Sequence, residues 1–90
     1  MDIEKRYKET REISAELWKI YKERHSEIEK ALTFKQSEQE EWWDKTVKIF
    51  NTAAEKYFDT THEYYAHAYS IACLDDLNAI WKALQKDNKK

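Results

Sequence analysis

The side chains best suited to chemistry lie between positions 59 and 67, where histidines alternate with carboxylates. His62 and Glu63 are followed by His67, whereas a zinc-binding His-Glu-x-x-His helix places its histidines four residues apart. At a spacing of five, the two side chains diverge by roughly 140° around a helix and cannot hold one ion. Asp59, Glu63 and His67 follow one another at intervals of four and offer a weaker ligand set. The simpler interpretation is a helix cap, an exposed carboxylate and a histidine bonded to it, so we predict no metal site and no cofactor.

The other residue types argue against catalysis. The chain contains no glycine, and phosphate-binding loops, dinucleotide-binding turns and nucleophile elbows depend on glycine for their backbone geometry. A single cysteine, Cys73, cannot build a cysteine-rich zinc site. The four serines stand in no recognisable nucleophile context. We therefore predict a protein that is not an enzyme.

Composition points to one small helical domain over residues 1–90, since so short a chain seldom supports two packed cores. Glycine and proline are both absent, which predicts an almost entirely helical fold because turns and strand-rich folds draw on these residues. The 16 basic and 18 acidic residues are interspersed, without the basic stripe that nucleic acid requires. No apolar run approaches the roughly 20 residues needed to span a bilayer.

The N-terminus, MDIEKRYKE, lacks the apolar core of a signal peptide. The lone cysteine excludes an intramolecular disulfide. We expect a reduced, cytoplasmic protein that binds neither nucleic acid nor membrane.

Apolar residues at helical spacing predict helices over about residues 2–32, 37–58 and 61–87. Short connections make sequential helices antiparallel neighbours, which predicts an up-down-up three-helix bundle. The alternative is that the second helix continues into the third, giving a long hairpin that must dimerise. Three pairs have the spacing of a capping box, in which side chains and backbone N–H groups bond reciprocally. These pairs are Thr33 with Gln36, Ser37 with Glu40, and Thr60 with Glu63; Asp59 is a further candidate cap.

The third helix is apolar on two faces. One stripe predicts an ordinary core face. A second row of small side chains lies roughly 130° around the helix, with Tyr64, Tyr65 and Ile71 beside it. The core stripe is Ala66, Tyr69, Cys73, Leu77, Ile80 and Leu84, and the second row is Ala68, Ala72, Ala79 and Ala83.

The second row has two interpretations. In the first, the helix is central and the other two helices cover both faces. In the second, a helix from another copy or another protein approaches Ala68 and Ala72 closely while Tyr64 and Tyr65 anchor it. Asp75 and Asp76 interrupt the row, which either confines such a contact to the first half of the helix or gives it polar edges.

Aromatic residues are too many for the core of a small bundle. There are four Trp, six Tyr and three Phe, and each Trp N–H and Tyr hydroxyl needs a polar partner or water. Trp42 and Trp43 point roughly 100° apart, so at most one is central. Either Trp43 is core and Trp42 covers the end of the first helix near Phe34, or one of the two is an exposed anchor beside an acidic cluster. An exposed anchor there would suit a partner that is basic around an apolar pocket.

These observations predict a small protein-binding module that occupies a surface on a larger protein, as an inhibitor, immunity factor or adaptor. Phage-encoded proteins directed against bacterial defence are an analogy for this class. The alternatives are a structural homodimer, and a bundle that binds a small apolar ligand in an aromatic cavity lined by Trp18, Phe50 and Tyr69. The candidate protein-binding residues are Trp42, Trp43, Tyr64, Tyr65, Ala68 and Ala72.

Overall fold

Three α-helices form the fold in a computed structural model that describes residues 2–88. They are α1 (Ile3–Ala31), α2 (Gln36–Glu55) and α3 (Glu63–Asn88), and each pair of helices is in contact. The start of α3 lies beside the start of α1, and the end of α1 lies beside the start of α2. The predicted up-down-up bundle is confirmed. Residues 56–62 form a separate turn, so the alternative of one continuous helix is wrong.

The core runs along the bundle axis between the three helices. α1 contributes Ile13, Leu17 and Ile28 at helical spacing. Ala66, Cys73 and Leu77 of the predicted core stripe are buried, and so is Trp81 of the same helix. The residues that α2 contributes are Trp42, Phe50, Ala53 and Ala54. The bundle measures 55 × 20 × 16 Å, and its radius of gyration of 15.4 Å exceeds the roughly 12 Å expected for a compact chain of this length.

The first turn closes without the predicted capping boxes. α2 begins at Gln36 after Lys35, which makes no side-chain capping bond, and Ser37 lies inside the first helical turn. The Thr33 hydroxyl instead donates to the carbonyl of Lys30, at the end of α1. Gln39 connects the two helices, because its side-chain amide donates to the carbonyls of Leu32 and Phe34 at 3.1 Å each.

The second turn reverses the chain at Asp59, whose φ is 62°. This left-handed conformation usually falls to glycine, and aspartate is among the few other residues that tolerate it. The Glu63 carboxylate accepts from the Asp59 N–H, and the Thr60 hydroxyl accepts from the His62 N–H, each at 3.1 Å. The predicted Thr60–Glu63 pairing is therefore wrong in its partners, although both side chains do satisfy backbone donors of the turn.

Candidate protein-binding surface

The second apolar row of α3 lies outside the core, so the interpretation of α3 as a helix covered on both faces does not hold. Ala68 and Ala72 are exposed, and Tyr64 is 85% exposed. Ile71, exposed to 44%, falls on the same side of the helix at the spacing of 64, 68, 71 and 72. We call Tyr64, Ala68, Ile71 and Ala72 the outer face of α3.

Phe58 extends the outer face onto the turn between α2 and α3. The sequence predicted that the second helix extends to Phe58, but α2 ends at Glu55 and the Phe58 side chain is 56% exposed. The ring borders an open surface depression of about 650 Å³. The depression is lined by Phe58, Thr60, Thr61, Glu63, Tyr64 and His67.

The charges around this depression are mainly acidic. Glu63 is half-buried and lines the depression, Glu55 is exposed and lines an adjoining one, and Asp59 is exposed next to Phe58 in the chain. Lys56, in the same turn as Phe58, is engaged elsewhere, since its ammonium donates to the Glu16 carboxylate on α1. That hydrogen bond raises the pKa of Lys56. The depression therefore combines two exposed aromatic rings with carboxylates.

Tyr65 belongs to a different environment from its neighbour Tyr64. Its hydroxyl hydrogen-bonds to the Ser14 hydroxyl of α1, and its ring lies 6.0 Å from that of Tyr69. The side chain is half-buried between α1 and α3. The structure thus separates Tyr65 from the three other α3 residues that the sequence grouped with it.

The start of α3 is fixed to α1 by two polar contacts. The Arg6 guanidinium donates to the Thr61 carbonyl at 3.1 Å, and the His62 Nε2 atom lies 2.8 Å from the Glu9 carboxylate. His62 is buried. These contacts hold the turn in place, and so they position the depression next to it.

Trp42 and Trp43 take the opposite places from those expected. Trp42 is buried, whereas Trp43 is half-buried against the core. The Trp42 ring stacks on Trp81 of α3 with centroids 5.5 Å apart, and Trp43 meets both rings edge-on. We call these three residues the tryptophan cluster. Since Trp42 is enclosed in the monomer, it is not an exposed anchor.

A buried arginine supports the tryptophan cluster. The Arg24 guanidinium lies 4.6 Å from the centre of the Trp42 ring, within the range of a cation–π interaction. Its Nε atom donates to the Thr46 hydroxyl at 2.9 Å, and Nη1 donates to Glu27 at 3.0 Å. The Thr46 hydroxyl in turn donates to the Trp42 carbonyl at 2.7 Å. The charge is therefore buried with hydrogen-bond partners, which is the condition under which such burial is tolerated.

An aromatic row follows α1 beside α3. Trp18, half-exposed, stacks on Tyr21 at 4.9 Å, and Tyr21 is tilted against His25 at 5.7 Å. The Tyr21 hydroxyl donates to the Asp76 carboxylate, and this bond, with burial, raises the pKa of Tyr21 to about 12. Phe50 is fully buried and Tyr69 half-buried. Trp18, Phe50 and Tyr69, the residues of the hypothetical ligand cavity, therefore lie at three different depths.

The single thiol is enclosed near the middle of α3. Cys73 is buried, and burial raises the pKa of its thiol to about 11. A thiol with that pKa is almost entirely protonated at neutral pH and a poor nucleophile.

Among the side chains that the structure describes within residues 2–88, no group of three or more His, Cys, Asp or Glu is arranged to hold a metal ion. None of the helices in this range combines the length and apolar character needed to cross a bilayer.

Sequence reasoning missed Phe58 as a member of the exposed surface. Phe58 continues the apolar pattern of the second helix, and only the end of α2 at Glu55 reveals that it faces outward. It also missed the bond between Arg24 and Thr46. The sequence did indicate that Arg24 is buried, because Arg24 lies on the same side of the helix as the core residues Leu17 and Ile28.

The fold defines an all-α protein, a small antiparallel three-helix bundle with an uncovered aromatic and apolar face. Comparisons with known protein families, with curated proteins and with solved structures found no match to this chain.

Proposed function

We propose that the protein is a small binding module that acts by occupying a surface on a larger protein, and that the outer face of α3 with Phe58 is its contact surface. Inhibitors, immunity factors and adaptors work in this way. The observation that carries the proposal is the exposure of Tyr64, Ala68, Ile71 and Ala72 on one side of a helix whose other side forms the core.

Two further features support this proposal. Aromatic residues, Tyr above all, are enriched at the energetic centres of protein interfaces, and Tyr64 and Phe58 are both exposed here. The chain also exposes 6838 Å², roughly 1,200 Å² more than a compact monomer of its 11.0 kDa mass is expected to expose. The elongated shape of the bundle accounts for a larger surface than a compact chain has, and this surface can supply the roughly 800 Å² that one partner contributes to a standard interface.

The test is site-specific photo-crosslinking in cells that express the protein. A photoreactive phenylalanine analogue at position 64 should crosslink a discrete partner, whereas the same analogue at the exposed position of Lys19 on α1 should not. Unlabelled protein should compete for the crosslink.

Matched charge insertions make the test specific. Ala68→Glu places a charge on the outer face and should abolish competition, whereas Ala15→Glu makes the same change at an exposed alanine of α1 and should compete normally. Both variants should retain the helical circular dichroism spectrum. Equal competition by the two variants would mean that the outer face is not the contact surface.

A further inference from the structure

We propose that the partner docks through a lysine- or arginine-flanked apolar segment, with one cationic side chain entering the depression between Phe58 and Tyr64. This inference rests on the proposed function and specifies the chemistry of the partner.

Charge complementarity is the first argument. Glu63 lines the depression, Glu55 lines an adjoining one, and Asp75 follows Ile71 by one helical turn on the outer face. Among the described residues, these carboxylates outnumber the one guanidinium that reaches the rim, that of Arg6 at the Thr61 carbonyl. The ammonium group of Lys56 is directed to Glu16 on α1. An acidic partner segment would meet like charges at this surface, whereas a basic one would meet opposite charges, which increases association rate and selectivity.

The composition of the depression is the second argument. Two aromatic rings, Phe58 and Tyr64, share its wall with the Glu63 carboxylate. A cation is attracted to the faces of aromatic rings as well as to carboxylates, and the long stem of lysine or arginine packs against apolar surface. A side chain of this type satisfies both the rings and the acid, which a purely apolar side chain does not.

A second copy of the chain fits the surface less well. An antiparallel two-fold pairing of outer faces that sets Lys86 against Tyr64 also sets Asp75 against its own copy, so two like charges meet at the centre. A register shifted to pair Asp75 with Lys82 of the other copy leaves Tyr64 beyond the end of the other α3. In neither arrangement does a second copy complement the whole surface.

The experiment uses two synthetic amphipathic helical peptides of about 18 residues with the same leucine and alanine stripe. Lysines flank the stripe in one peptide and glutamates flank it in the other. Each peptide is titrated into the ¹⁵N-labelled full chain and followed by NMR. Sedimentation velocity at the same protein concentration establishes whether the free chain is a monomer or a dimer. The lysine peptide should shift the signals of Phe58, Tyr64, Ala68 and Ile71, and bind at least roughly tenfold more tightly than the glutamate peptide.

Charge-reversal variants separate local from overall electrostatics. The double variant Glu55→Lys/Asp75→Lys should weaken binding of the lysine peptide roughly tenfold. The matched control Glu29→Lys/Glu23→Lys makes the same change in net charge at exposed positions of α1 and should stay within about twofold of the parent, because distant charges are screened.

Each other outcome contradicts the inference in a different way. Equal binding of both peptides at the outer face would refute the basic partner and leave the proposed function intact. No shift at residues 58–71 with either peptide would count against both. If the free chain is a dimer whose dilution moves the signals of Tyr64 and Ile71, the occupant is a second copy and the inference is wrong.

Discussion

The two ends of the bundle use aromatic residues in opposite ways. At one end, the tryptophan cluster is enclosed by three helices and supported by Arg24 and Thr46. At the other end, Phe58 and Tyr64 extend into solvent next to a turn with Asp59 in a left-handed conformation. Aromatic content alone therefore does not distinguish core from contact surface.

The difference arises from the neighbours that each ring meets. Trp42 contacts Trp81 on α3 and a guanidinium on α1, so its ring is buried within the monomer. Tyr64 begins the outward side of α3, where neither α1 nor α2 reaches it. The tryptophan cluster therefore stabilises the fold, whereas Phe58 and Tyr64 leave apolar area exposed to solvent in the folded chain.

The largest expected effect is that of Trp42→Ala. Truncating a buried tryptophan should lower the free energy of unfolding by about 3–5 kcal/mol. A core of this size seldom supplies more than about that amount, so the variant should be largely unfolded. Tyr64→Ala, at the other end, should change stability by less than about 0.5 kcal/mol. Urea denaturation followed by circular dichroism measures both, and comparable losses would contradict the division between the ends.

The second prediction concerns the polar support of the tryptophan cluster. Thr46→Val keeps the shape of the side chain but leaves the buried Nε–H of Arg24 without its acceptor, which should cost about 1–3 kcal/mol. In an Arg24→Met background the same substitution should cost clearly less, because no buried donor is stranded. A double-mutant cycle measures this coupling. Equal costs in the two backgrounds would show that Thr46 contributes through packing alone.

The helices and most of the core could be predicted from the sequence because they depend on local periodicity. The stripe from Ala66 to Leu84 is an example. The choice between Trp42 and Trp43 could not be made in this way, since it depends on where α3 places Trp81. The same holds for Phe58, whose exposure follows from the end of α2 at Glu55 and not from its own neighbours in sequence.

The candidate site was predictable only in part. Tyr64, Ala68 and Ala72 form one exposed row, as their spacing indicated, but Tyr65 turns towards Ser14 on α1. Adjacent residues on a helix diverge by about 100°, so one of two consecutive tyrosines must leave the row. Which of them faces outward is decided by the position of α1.

The smallest expected effect, with the opposite sign, is that of Asp59→Gly at the turn end. Asp59 adopts a φ of 62°, which costs an L-residue about 1 kcal/mol and glycine almost nothing. Part of this gain is offset because glycine is more flexible in the unfolded chain, so the free energy of unfolding should rise by about 0.5 kcal/mol. Thermal and urea denaturation measure the change.

The matched control is Asp59→Ala, which removes the same carboxylate but keeps the β-carbon. It should destabilise the protein, since alanine tolerates this conformation less well than aspartate. A similar gain from both variants would attribute the effect to the lost charge near Glu55 and Glu63, not to the backbone. A gain from glycine alone would show that the turn end stores strain beside the proposed contact surface, whereas the tryptophan end is held by packed rings and a bonded guanidinium.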